Sequence, residues 1–174
     1  TKAKGRKNVE SEISSVAMPT PQSVLKAAEA LSKGTTNEEG VGDLIVVDVG
    51  GATTDIHTVG WGDPTKPGVF TVGLEEPFAK RTVEGDLGMR YSSMSVYEAS
   101  GMRMLRKYLD VSKYNPEEEY LKRYENTSFV STTPEDIAFD EAMAKICVDL
   151  SVKRHAGVVE PVYSTTGVVY SQRG

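Results

Sequence analysis

Apolar residues along the chain follow two spacings. Leu44-Ile45-Val46-Val47 is an unbroken run rich in β-branched side chains, the mark of a buried strand. Asp48 closes it, Gly50-Gly51 turns the chain, and Thr53 to Val59 begins a second strand, so the segment predicts a β-hairpin. Trp61 to Gly68 is dense in turn formers and reads as a surface loop. Val69-Phe70-Thr71-Val72 then predicts a third strand. The remaining apolar residues recur at helical spacing. Val24, Leu25, Ala28 and Leu31 share one face of a helix with Thr20 as N-cap, Pro21 in its first turn and Gly34 at its end. Met94, Tyr97, Met102, Leu105 and Tyr108 mark a helix from about Ser92, with Gly101 as its weak point. Another helix starts at Pro116. The longest, roughly 134–155, has Thr133 as cap and Asp136 as its partner. Its stripe is Ile137, Phe139, Ala142, Met143, Ile146, Cys147 and Leu150. Lys153, Arg154 and His155 suit its C-terminus, where Gly157 stops it. Arg81 to Arg90 reads as a loop feeding the Ser92 helix.

Composition narrows the class. In 174 residues, 39% hydrophobic content supplies a core. A net charge of −5 gives no basic footprint for nucleic acid. The single cysteine, Cys147, excludes an internal disulfide and a cysteine-rich metal site, and its place in the helix stripe reads as a buried small hydrophobe. No apolar stretch approaches the ~20 residues of a membrane helix, so a cytoplasmic protein with no membrane partner is expected. Residues 1–15 are polar, and a disordered end or boundary is expected there.

The chemistry sits on the hairpin. Glycines let backbone N–H groups approach an anion closely, and threonines add hydroxyl donors. Asp48 and Asp55 repel a bare phosphate and therefore call for a cation between them and the ligand. Magnesium suits, because it is held by one or two carboxylates together with substrate phosphates. The expected occupant is a nucleotide triphosphate or diphosphate with magnesium. Candidate phosphate-binding residues are Gly50, Gly51, Ala52, Thr53 and Thr54, and the candidate magnesium ligands are Asp48 and Asp55. Asp48 is also the candidate catalytic carboxylate. His57 lies two residues after Asp55, on the same face of its strand by alternation. It reads either as a group that orients water or as a satisfied strand histidine.

Asp48-Val49-Gly50-Gly51-Ala52-Thr53-Thr54-Asp55 resembles the second phosphate motif of the actin, sugar-kinase and DnaK-type chaperone ATPases. More narrowly, Val47 to Val59 with Met18-Pro19-Thr20-Pro21 before it and Arg81 to Arg90 after it is similar to the MutL-type accessory proteins of cobalamin-dependent glutamate mutase. Ile137 to Ala142 and Val152 to Gly157 also fit that family. The resemblance covers most of the chain. It implies an α/β, ribonuclease-H-like (actin-like ATPase) domain over residues 16–174, with a sheet at 43–73 and a helical part at 91–156. It also implies that Gly85 and Asp86 approach the nucleotide, although an acidic loop-to-helix boundary accounts for them equally. Relatives carry an earlier glycine-rich phosphate loop and a later glycine-rich adenosine segment; neither is found here, so a fragment is expected, with ATP or ADP as the implied nucleotide and with ATP hydrolysis implied for the full-length protein but weak or absent in this fragment. The implied role is chaperone-like, with ATP driving reactivation of a cobalamin-dependent mutase, whose subunits are the expected partners. A small-molecule kinase of the same fold, or a non-catalytic nucleotide-binding module, stands as the alternative. No GxxxxGK[ST] or GxGxxG run occurs, which disfavours Walker-type and Rossmann sites.

Overall fold

The structure is a computed structural model that describes residues 18–64, 66–165 and 167–173. The expectation for residues 1–15 lies outside the described residues. Among the described residues the chain is mixed α/β, with two three-stranded sheets and four α-helices. In chain order these are α1 (Thr20–Lys33), β1 (Leu44–Val49), β2 (Thr54–Val59), β3 (Val69–Thr71), β4 (Ala79–Glu84), α2 (Ser93–Tyr108), α3 (Pro116–Glu125), α4 (Pro134–Ala156), β5 (Val158–Ser164) and β6 (Gly167–Arg173).

The first sheet has the order β1-β2-β4, antiparallel throughout, and Asp48 and Asp55 face each other across the hairpin. β2 is central, and Thr54, Asp55, Ile56 and His57 are all buried, so both of its faces are covered. α4 covers the face carrying Thr58 and Thr82, whose hydroxyls lie 2.5 and 2.7 Å from the two ring nitrogens of His155. α1, which packs on β1, β2 and β4, covers the opposite face.

The third strand of this sheet is β4 and not Val69 to Val72, which corrects the expected 43–73 sheet and the reading of Arg81 onward as loop. β4 pairs with β2 from Thr54↔Glu84 to Val59↔Ala79. Val69–Thr71 runs instead parallel to β6 in the second sheet, ordered β3-β6-β5. Long-range pairing decided the matter: β6 lies about a hundred residues further along, beyond the reach of any local pattern.

The helices follow their punctuation, with local shifts. α1 starts at Thr20 itself, because the Pro19 carbonyl already accepts from the Ser23 N–H at 3.0 Å. Thr20 therefore lies inside the helix and is not its cap. Near the C-terminal end of α1, Ser32 is buried and Leu31 points outward, as the loop to Gly42 folds back onto the carbonyls of both. In α2, Gly101 takes φ 58° and kinks the helix, leaving Met102 exposed while Val96 and Leu105 are buried. α4 is capped by the Thr133 hydroxyl, which accepts from the Asp136 N–H at 3.2 Å and donates to its carboxylate at 2.9 Å. Leu87, Val96, Leu105, Tyr120, Phe139, Met143, Ile146 and Cys147 form the core between helices and sheet. Burial pushes the Cys147 thiol up to about 11, as expected of an inert core cysteine.

Candidate functional site

Residues 50–53 form the turn of the β1–β2 hairpin, closed by the Gly50 N–H donating to the Thr53 carbonyl at 2.8 Å. A second segment braces it from outside. The N–H groups of Met89 and Arg90 donate to the Gly50 and Gly51 carbonyls at 3.0 and 2.8 Å. The Ser92 hydroxyl donates to the Ala52 carbonyl at 2.6 Å and contacts the Gly85 carbonyl at 3.2 Å. Gly88 makes this approach possible, since a Cβ there would lie 2.3 Å from the Ala52 carbonyl carbon. Every carbonyl of the turn thus has a donor. The N–H groups of Gly51, Ala52 and Thr53, by contrast, find no acceptor among the described residues. Three successive unpaired N–H donors on a carbonyl-locked glycine turn are chemically able to receive an anion.

The carboxylates divide. Asp48 is exposed and has no hydrogen bond or ion pair among the described residues. Asp55, directly opposite, is buried and accepts from Arg81 Nε at 2.9 Å and Nη2 at 2.5 Å; the Thr53 hydroxyl lies 3.4 Å from its other oxygen. Like charges paired across an antiparallel ladder repel, and Arg81, one strand further over, offsets one of the two. His57 is the register partner of Arg81. It is fully buried, with no partner among the described residues for either ring nitrogen, and burial lowers its pKa.

The other predicted residues have structural commitments. Thr54 is buried and donates to the Leu87 carbonyl at 2.6 Å, tying the hairpin to the brace. Gly85 is exposed on the brace. Asp86 is gripped by Arg154 of α4 through two bonds of 2.7 and 3.0 Å, and Arg154 also reaches Glu84 at 2.7 Å. That grip holds the Asp86 carboxyl below its usual range. Among the described residues, no group of three or more His, Cys, Asp or Glu is arranged to hold a metal ion. No helix of the described residues is long and apolar enough to cross a membrane.

The sequence profile of the MutL protein family matches residues 1–174. The chain belongs to that family. Protein MutL of Clostridium tetanomorphum is 57% identical to it over 172 residues, covering 99% of this chain and 37% of that protein. The chain thus spans well under half the length of this curated relative. No solved structure matches it.

In this MutL family chain the residues missed by sequence reasoning are those that shape the turn from a distance. Arg81 reaches Asp55 across 26 positions, and Arg154 reaches Asp86 across 68. A further network continues from Arg90, which donates to Asp140, as does the fully buried Arg123. Burial alone would raise the Asp140 pKa, but hydrogen bonds from Arg123, Arg90 and Ser131 hold it low. The one available signal was the density of charge in Arg81 to Arg90, which a plain loop does not need.

Proposed function

We propose that this chain is the nucleotide-binding module of a chaperone-like ATPase, on an actin-like, ribonuclease-H-like framework, that reactivates or assembles a cobalamin-dependent mutase such as glutamate mutase. The observation that carries the nucleotide part is the row of unpaired N–H groups at Gly51, Ala52 and Thr53, on a turn whose carbonyls are all tied down. Such a turn is pre-organised, so a phosphate meets its donors without first breaking bonds among them. Family membership and the motif resemblance support the mutase partner.

The residues present fit a magnesium-held phosphate in part. Asp48 is the unengaged carboxylate at the mouth of the turn and would hold the ion through its waters. Asp55, engaged by Arg81, would act from behind as an outer-sphere acceptor. When bound, magnesium would supply neutralisation of phosphate charge. The chain's own contribution is positioning: the turn amides orient the phosphate, the Thr53 hydroxyl adds a donor, and the Arg81–Asp55 pair keeps the two strands' carboxylates from repelling. Phosphoryl transfer depends mainly on such positioning and charge stabilisation.

Calorimetric titration of the intact protein with magnesium-ATP, beside an Asp48→Asn variant, tests this reading. Binding weakened about tenfold or more in the variant is expected, equivalent to the loss of about 1.4 kcal/mol. Equal affinity, or no binding by either protein, would overturn it.

A further inference from the structure

α4 carries two apolar stripes. One faces the core. The other runs Ala144, Val148, Val152 at four-residue spacing on the outer face, with Val148 37% exposed and Ile137 44% exposed a further two turns back. A second apolar stripe on the outer face of a helix is surface that a neighbour can cover. The outer stripe floors a groove between α4 and the end of α2, where Tyr108 adds an aromatic wall and Met104 extends it.

The rim of this groove is cationic. Lys107 on α2 and Lys145 and Lys153 on α4 line the apolar stretch, and Arg103 lines the adjoining hollow beside Lys107 and Lys153, with Glu141 and Asp149 the carboxylates among these lining residues. Asp149 is already saturated, accepting from Lys107 at 3.0 Å and the Tyr108 hydroxyl at 3.0 Å, with Lys153 at 2.8 Å. Glu141 is paired with Lys145 at 3.4 Å. Four cations against two occupied carboxylates leave a positive island on a chain whose net charge is −5. Arg103 has no carboxylate partner among the described residues.

We propose that the α2–α4 groove is a docking surface for an acidic amphipathic helix of a partner protein, whose apolar side lies on Val148 and Val152 and whose carboxylates meet Arg103, Lys107 and Lys153. The apolar row spans about 12 Å, between two and three turns of a docked helix. The charge excess selects an acidic partner over a second copy of this face, which would bring its own cations into contact with these.

The test uses the intact protein and three fluorescent peptides: an amphipathic Leu/Glu helix, the same helix with Lys for Glu, and a polyglutamate without apolar residues. The Leu/Glu helix is expected to bind, more weakly as salt is raised, and the other two are expected to bind at least about tenfold more weakly. Arg103→Glu and Val148→Asp each lower affinity for the Leu/Glu helix about tenfold with unchanged melting temperature, both residues being exposed. Arg103→Glu serves as the independent check should Val148→Asp affect folding. Equal binding of polyglutamate or of the Lys helix overturns the proposal, as does insensitivity to both substitutions. Self-association that Val148→Asp abolishes also overturns it, assigning the face to a second copy.

Discussion

The β1–β2 and β5–β6 hairpins both pair antiparallel, over six and seven residue pairs, yet they sit in opposite surroundings. β2 is covered on both faces, and its turn is bonded by three residues of the segment following β4. Among the described residues β5 and β6 pair with each other and β6 with β3, and they leave Val158, Tyr163, Val168 and Tyr170 exposed. Ladder bonds alone therefore do not make a site. The first hairpin adds a second segment that ties down the turn carbonyls and leaves the turn amides as unspent donors among the described residues. The second hairpin leaves its apolar surface exposed.

The strongest way to break that contrast is at Gly88. Gly88→Ala forces a methyl group onto the Ala52 backbone, which cannot yield as a flexible side chain would. A stability loss of about 2–3 kcal/mol is expected in denaturant unfolding, together with loss of nucleotide affinity. Next comes Thr54→Val, which keeps the shape but leaves the buried Leu87 carbonyl without its donor. A loss of about 1–2 kcal/mol is expected, again with weaker nucleotide binding, because the brace loosens.

A smaller effect comes from pH. Burial lowers the pKa of both His57 and His155 in the folded chain, whereas the unfolded chain takes up protons near about pH 6.5. Their contribution to stability is thus complete above that value and is lost as pH falls through it toward the folded pKa values. The melting temperature should drop between about pH 7 and pH 5. His57→Leu should remove part of that slope, and an unchanged slope would detach His57 from it. The smallest effect is expected in the second hairpin. Tyr163→Ser, at a strongly exposed position, should leave the melting temperature unchanged within error.

Much of this was legible locally. Glycine, proline and Thr133 placed the helix ends, and the β-branched run with its Gly-Gly turn placed the hairpin. The third strand was hidden because its charges break the alternation that marks a strand. Those charges have structural roles: Lys80 pairs with Glu76 and reaches the His155 carbonyl, Arg81 holds Asp55, and Glu84 takes Arg154. A strand whose polar residues serve distant partners looks like a loop until those partners are known. The aspartates were legible as a pair but not in their division, since the choice of Asp55 over Asp48 was made by Arg81 on β4, the strand next to β2. Ile137 was read as core from its spacing, yet α4 turns it outward, and the same rotation exposes the stripe above Val148.

The most direct test of the central claim is amide NMR of the intact protein titrated with magnesium-ATP. The account predicts that the largest shifts fall on the Gly51, Ala52 and Thr53 amides, with those of the β5–β6 hairpin unmoved. Saturable binding that leaves these three amides in place would contradict it.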